Sequence, residues 1–97
     1  MVLIYNVNRS TLRRLGTETE EIYLTDKESK LIEVLCGGTM CTWYEMTVYV
    51  YKKYNRQLHD TLYLIKHRLS KKANLNIKTI CKHGIILKDL IYIEKGV

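Results

Sequence analysis

The stretch that decides the fold of this chain runs from Leu58 to Leu69 and reads LHDTLYLIKHRL. Its bulky apolar residues follow one another at steps of four, three and four, which is the spacing of one face of an α-helix. They are Leu58, Leu62, Ile65 and Leu69. The spacing predicts a helix that buries this face in the core. Polar, cationic and aromatic residues occupy the other side, namely His59, Tyr63, Lys66, His67 and Ser70, with Arg68 on the flank.

Two more helices are predicted before this one, because the same N-terminal signal occurs twice. Thr25 with Glu28, and Thr42 with Glu45, each form a capping box. In this device the threonine hydroxyl and the glutamate carboxylate each accept from the other residue's backbone N–H. The first helix should end at the glycines 37 and 38, and the second should run over roughly residues 43–54.

Short strands are predicted towards both ends of the chain. Residues 1–23 are rich in Val, Ile, Tyr and Thr, with breaks around residues 6–10 and at residue 16, which indicates a β-hairpin or small meander. Ile77–Cys81 and Ile85–Leu87 flank the basic turn Lys82-His83-Gly84 and predict a second hairpin. Leu90–Ile93 either extends its second strand or adds a further one. The expected fold class is α+β: an N-terminal hairpin or meander, three helices and a C-terminal hairpin, in one domain over residues 1–97.

The positive charge of the chain is concentrated in one segment. The 97 residues carry a formal net charge of +6, but residues 52–82 hold nine basic residues and one acid, Asp60, so that this segment is +8 and the rest is −2. Such a density is typical of a surface that binds a polyanion, and a cationic, aromatic helix face fits a DNA major groove. The alternative is a lysine-rich face that is merely solvated. For Lys71 and Lys72, phosphate contact and simple solvation are both open.

The cysteines favour a reduced environment. Cys36, Cys41 and Cys81 are an odd number without a Cys-x-x-Cys pair, which indicates three mostly buried thiols in a cytoplasmic protein. A zinc site of these cysteines and His83 can be written, but its spacing matches no common pattern. No cofactor is expected. The apolar runs fall far short of the ~18 residues that a membrane span needs.

Five motifs follow one another in the order, and at nearly the spacing, of a known family. They are Leu24-Thr25 with Glu28; Thr42–Met46 with Tyr51; Arg56-Gln57-Leu58; Leu62–Leu69; and Ile77–Ile80 with Gly84–Leu87. On these motifs, residues 20–88 resemble the effector domain of OmpR/PhoB-type response regulators, a winged helix-turn-helix. In the fourth motif, Lys66 and Arg68 take the positions of the family's Arg and Lys.

The resemblance implies a bacterial transcription regulator that binds double-stranded DNA and is not an enzyme. Its third helix would enter the major groove, and its C-terminal hairpin, the wing, would lie on the adjacent backbone or minor groove. The implied DNA-binding residues are Arg56, Tyr63, Lys66, His67, Arg68 and Ser70 on the helix, and Lys78, Lys82 and His83 on the wing. RNA polymerase and a second copy of the chain on DNA are further partners that the resemblance suggests.

The chain also departs from the family pattern. Cys81, Lys82 and Ile85 stand where the wing of the family has Arg, Gly and Tyr, so Lys82 or His83 would replace the arginine near the minor groove. The connection at Lys52–Asn55 is shorter than the family loop that commonly contacts RNA polymerase, which weakens the expectation of that contact. A chain of this length leaves no room for a receiver domain, so we expect a stand-alone regulator.

Two other functions remain open from the residues alone. A small basic ribonuclease could use His59 or His67 as general base, with Tyr63 assisting and Arg68 stabilising charge. These side chains lie along one helix, however, and would have to converge in a pocket. A winged helix can also present the same face to an acidic protein or to another copy of itself, which would make the chain a protein-interaction module.

Overall fold

The structure of the chain, a computed structural model, describes residues 2–16, 21–80 and 83–94. The elements within these ranges are, in chain order, β1 (Val2–Asn6), β2 (Thr11–Arg14), β3 (Ile22–Tyr23), α1 (Asp26–Leu35), β4 (Cys41–Thr42), α2 (Trp43–Tyr51), α3 (Arg56–Ala73), β5 (Ile77–Ile80), β6 (Gly84–Leu87) and β7 (Leu90–Glu94). The chain is therefore α+β, as predicted, with three helices and two sheets in the described residues.

The first sheet joins the two ends of the described chain. Its strand order is β3-β2-β1-β7. The first three strands form an antiparallel meander, as predicted, whereas β7 runs parallel to β1. Residues 90–93 therefore form a further strand, the second of the two alternatives, and it joins this sheet. Just before β7, the Asp89 carboxylate accepts a hydrogen bond from the backbone N–H of Asn76 at 2.8 Å, which holds the chain where it leaves the hairpin.

The second sheet contains the predicted C-terminal hairpin. Strands β5 and β6 pair antiparallel, and β4 adds to the other side of β6, which gives the order β4-β6-β5. The sequence does not predict β4, which has only two residues. At its crossing with β6, a Cβ atom on Gly84 would collide with the backbone carbonyl of Cys41. Only glycine allows the two backbones to come this close.

Both predicted capping boxes are present. The backbone N–H of Glu28 donates to the Thr25 hydroxyl at 3.2 Å, and that of Glu45 donates to the Thr42 hydroxyl at 3.0 Å. The second helix is shorter than the predicted 43–54, because Lys52 adopts the left-handed conformation (φ 67°) and ends it after Tyr51. In the described part of the chain, no helix is long and apolar enough to cross a membrane.

One buried cluster connects both sheets with all three helices. Its fully buried side chains include Leu3 and Tyr5 of β1, Leu31 and Ile32 of α1, Met46 of α2, Leu62 and Leu69 of α3, and Ile85 of β6. Burying large apolar side chains contributes about 1.5–3 kcal/mol each before conformational entropy is subtracted. Because Leu62 and Leu69 belong to this shared cluster, packing in the core holds α3 in position.

Candidate nucleic-acid interface

The orientation of α3 decides which of its side chains are free to bind a partner. The Asn55 side chain caps its first turn, accepting from the backbone N–H of Leu58 at 2.8 Å. Of the predicted apolar face, Leu62 and Leu69 are buried, Ile65 packs against the core and Leu58 is half-buried. The prediction that this face points inward is thus confirmed, and the opposite side of α3 faces outward.

The predicted contact residues fall into an exposed and a half-buried group. On α3, Arg56, Tyr63, His67 and Arg68 are exposed, whereas Lys66 and Ser70 are half-buried. On the hairpin, Lys78 and His83 are exposed. Lys82 lies outside the described residues.

Three side chains, Trp43 of α2 and Tyr63 and Lys66 of α3, form a short stack. The ring centroids of Trp43 and Tyr63 are 5.6 Å apart, and the Lys66 Nζ lies 4.7 Å from the Tyr63 ring centroid. Burial lowers the pKa of Lys66. The lysine is therefore a partly desolvated cation whose neighbour is an aromatic ring, a favourable but weak partner.

Trp43 also connects this stack to the hairpin. Its backbone N–H donates to the carbonyl of His83 at 3.1 Å, directly beside the pairing of β4 with β6. The buried Trp43 therefore brings the start of α2, Tyr63 of α3 and the hairpin turn next to one another. We call the side chains of Tyr63, Lys66 and His67 on α3 and of His83 at the hairpin turn the helix–hairpin surface.

The two predicted arginines of α3 lie on different sides of the helix. Each residue advances about 100° around an α-helix, which places Arg68 on the flank opposite Lys66. Arg56 is highly exposed and forms an ion pair with Asp60 at 3.6 Å, so part of its charge is already compensated. Exposed pairs of this kind are weak, about 0.3–0.5 kcal/mol, and dissociate readily when a stronger anion is available.

Lys72 has a structural role that the sequence did not predict. Its Nζ contacts the carboxylate of Glu28 at 3.0 Å. Neither of the two alternatives for this lysine, phosphate contact or simple solvation, describes this ion pair. Burial of the Glu28 carboxyl raises its pKa, but hydrogen bonds from the Thr25 backbone N–H and from Lys72 outweigh this and hold the pKa below its ordinary value. The ion pair ties α3 to the capping box of α1. For Lys71, which is exposed, both alternatives remain.

The structure contains an aromatic cluster around the α2–α3 connection that was not predicted from the sequence. The His59 ring packs on Trp43 at a centroid distance of 5.3 Å, and Tyr54 contacts both His59 and Tyr44. The sequence signal for it is the density of aromatic residues in segments 43–44 and 49–54.

The packing of His59 also bears on the ribonuclease alternative. His59 is half-buried against Trp43, and its Nδ1 lies 3.2 Å from the Asp60 carboxylate. His67 follows eight residues later, about 12 Å further along the helix axis. The two histidines therefore do not converge.

The cysteines of the described chain make local contacts. The Sγ of Cys36 donates to the Glu33 carbonyl at 3.0 Å, and that of Cys41 to the Val34 carbonyl at 3.3 Å; both thiols are free. Within the described ranges, no group of three His, Cys, Asp or Glu side chains could hold a metal ion. The zinc site written from the sequence includes Cys81, which lies outside those ranges.

Comparisons with known proteins leave the family open. No protein-family model matches the chain, and no curated protein matches its sequence. The likeness to OmpR/PhoB-type effector domains therefore rests on the five motifs, and the function has to be argued from the surface itself.

Proposed function

We propose that this chain binds double-stranded DNA as a winged helix-turn-helix, with α3 in the major groove and the β5–β6 hairpin on the adjacent backbone or minor groove. The order of elements supports this: α2 and α3 are joined by four residues, and the hairpin follows α3. The helix–hairpin surface would let both contact one duplex together. Under this proposal the chain is a non-enzymatic transcription regulator that works in the bacterial cytoplasm.

The observation that carries the proposal is a set of cations on α3 and the β5–β6 hairpin that have no carboxylate partner. Among the described residues, none of Lys66, Arg68, Lys71 and Lys78 forms an ion pair, while the acids Glu28, Glu21 and Glu94 are paired elsewhere. A protein surface with uncompensated charge on a long helix attracts a polyanion over distances of about a Debye length, ~8–10 Å.

The residues of the surface would have different tasks. Tyr63 and His67 are exposed on α3 and Lys66 is half-buried beside Tyr63, and these three side chains would reach base edges. Lys78 and His83 would contact phosphates or the minor groove, where little sequence is read. Ser70 would support the base contacts, while Arg56 and Arg68, at the start and on the other flank of α3, would contact phosphates.

The first experiment selects bound DNA from a random duplex pool and titrates the preferred site at several salt concentrations. Each phosphate that the protein neutralises should contribute about −0.9 to the slope of log K against log salt. We expect a steep slope and an enriched sequence. A slope near zero between low and physiological salt would refute DNA binding.

Two variants distinguish residues that contact bases from residues that contact phosphates. Lys66→Ala should lose about 1–3 kcal/mol on the selected site and less on a scrambled duplex, because it removes a base contact. Lys78→Ala should weaken both duplexes alike and make the salt slope shallower by about one. Lys30→Ala on α1, near Tyr5 and Val7 and outside the proposed surface, removes the same charge and is the control. If Lys66→Ala weakens both duplexes equally, α3 is not the element that reads sequence.

The aromatic cluster favours one alternative, a protein-interaction module. Tyr44 and Tyr54 are exposed neighbours with ring centroids 5.1 Å apart. Tyrosine is enriched in protein interfaces, where its ring supplies area at low entropic cost. Tyr44→Ala should leave DNA affinity almost unchanged under the DNA-binding proposal. A variant chain that binds DNA normally but no longer retains a partner such as RNA polymerase would support the alternative.

A further inference from the structure

The strand β7 leaves one side of its backbone without a partner. It lies at the end of the sheet order β3-β2-β1-β7, and β1 is its only strand neighbour in the part of the chain that the structure describes. Half of its N–H and C=O groups therefore point away from the sheet. Such an edge is a template for a further strand.

The side chains of β7 make this edge unusually apolar. Leu90 is 66% exposed and Tyr92 63% exposed, and both lie on the outer face of the sheet next to the half-buried Val2 and Ile4 of β1. Ile93, on the other face, is also exposed. Edge strands are usually protected by a charge, a proline or a short length. Leu90 to Ile93 contain none of these protections.

The other sheet edges in the described residues are protected. β3 and β4 have two residues each, which is too short to support a new strand. β5 carries the exposed Lys78, which forms no ion pair among the described residues, whereas the charge of Glu94 in β7 is compensated by Arg13. The contrast singles out β7 as the edge that is long, apolar and open.

We propose that a second copy of this chain pairs its β7 antiparallel with β7, about a two-fold axis at Tyr92, so that the two four-stranded sheets become one of eight strands. This register overlaps all five residues of the strand with themselves. It sets Ile91 opposite Ile93 of the second copy twice on the inner face, and on the outer face Tyr92 opposite Tyr92 and Leu90 opposite Glu94 twice. Apolar and aromatic cross-strand pairs of this kind stabilise antiparallel sheets by about 0.2–1 kcal/mol each.

The charges at β7 allow a second copy to approach this edge. The one charged side chain of β7, Glu94, is already compensated by Arg13 at 3.1 Å and accepts from Asn6 at 2.9 Å. The described part of the +8 segment, residues 52–80, contributes no strand to this sheet. Two copies can therefore meet at β7 without bringing uncompensated charges on the strand together. The proposal does not depend on DNA binding.

A disulfide test reports on this register directly. Residues directly opposite in an antiparallel pair have Cα atoms about 4.5–5.5 Å apart, within the range that a disulfide bridges. Under mild oxidation, Tyr92→Cys should give covalent dimers whose cross-link maps to position 92. The matched control is Tyr23→Cys, which is 65% exposed at the opposite edge of the same sheet and retains the same native cysteines. Equal cross-linking of the two variants, or none at position 92, would overturn the proposal.

A second measurement uses no cysteine. An interface of one short strand per copy is small, so the unmodified chain should show a monomer–dimer equilibrium at micromolar or weaker affinity in sedimentation. Tyr92→Lys sets two cations opposite each other and should weaken dimerisation at least ten-fold, whereas Tyr23→Lys should not. A chain that sediments as a monomer at all concentrations, or dimers that survive Tyr92→Lys unchanged, would count against pairing through β7. Both substitutions are at exposed positions, and circular dichroism would verify that the fold is retained.

Discussion

Replacing Leu62 by alanine tests which side of α3 faces the core, and therefore which side is free to bind a partner. Leu62 is 0% exposed and belongs to the buried cluster that joins the helices to both sheets. Truncating a buried leucine removes apolar contacts and leaves a cavity, at a cost of about 2–5 kcal/mol. The total free energy of unfolding of a domain of this size is on the order of 5–15 kcal/mol. The variant should therefore fold, with a clearly smaller margin.

Leu64→Ala is the matched control, since it makes the same chemical change two positions along the same helix. Leu64 is 54% exposed, so we expect a change within about 0.5 kcal/mol. Urea unfolding followed by circular dichroism would measure both variants. In thermal unfolding, about 1 kcal/mol corresponds to roughly 4–8 °C for a domain of this size, so Leu62→Ala should lower the Tm by at least ~8 °C.

The comparison can refute the orientation of α3. If Leu64→Ala costs as much as Leu62→Ala, or more, the helix is rotated about its axis from the position described. Tyr63 and Lys66 would then not lie together on the outer side, and the helix–hairpin surface would not exist as a surface.

Two further predictions concern stability. Gly84→Ala should destabilise the fold by about 1–3 kcal/mol, because its Cβ would collide with the backbone of Cys41; Gly37→Ala, where the nearest atom to a new Cβ is 4.0 Å away, should be nearly neutral in the same urea titration. The ion pair of Lys72 with Glu28 should make stability depend on pH. Since the pKa of Glu28 is lowered in the folded chain, its contribution is present above the ordinary value of 4.5 and is lost as the pH falls through the folded pKa. Lys72→Gln should lower stability near pH 7 and reduce this acid-dependent loss, and an unchanged pH profile would show that the pair does not hold Glu28 ionised.

The local signals in the sequence predicted the elements that depend on neighbouring residues. Thr25 and Thr42 mark the starts of two helices because a capping box is complete within four residues. The 4-3-4 spacing around Leu62 predicted the buried side of α3 because helical periodicity is likewise visible among neighbouring residues. Where backbone conformation and not side-chain pattern ended an element, as at Lys52, the predicted boundary was wrong by three residues.

The pairings that depend on distant residues could not be predicted in this way. Strand β4 has two residues and exists because Gly84 admits its backbone. The partner of β7 is likewise set by the tertiary fold and not by its own sequence, which fits either sheet. For the candidate surface, the cations of α3 are predictable from the sequence, but Trp43 is not, because its role depends on contacts with both α3 and the hairpin.

The parallel pairing of β1 with β7 has a consequence for how the chain folds during synthesis. Asn6 and Glu94 hydrogen-bond across 88 positions of sequence, so β1 leaves the ribosome long before its neighbour exists. In that interval β1 can pair only with β2, and its other edge stays open to foreign strands. Contacts of such long sequence separation also slow folding, because a large loop must close before they form. We expect a nascent chain that stops short of β7 to be the species most prone to aggregate and most dependent on chaperones.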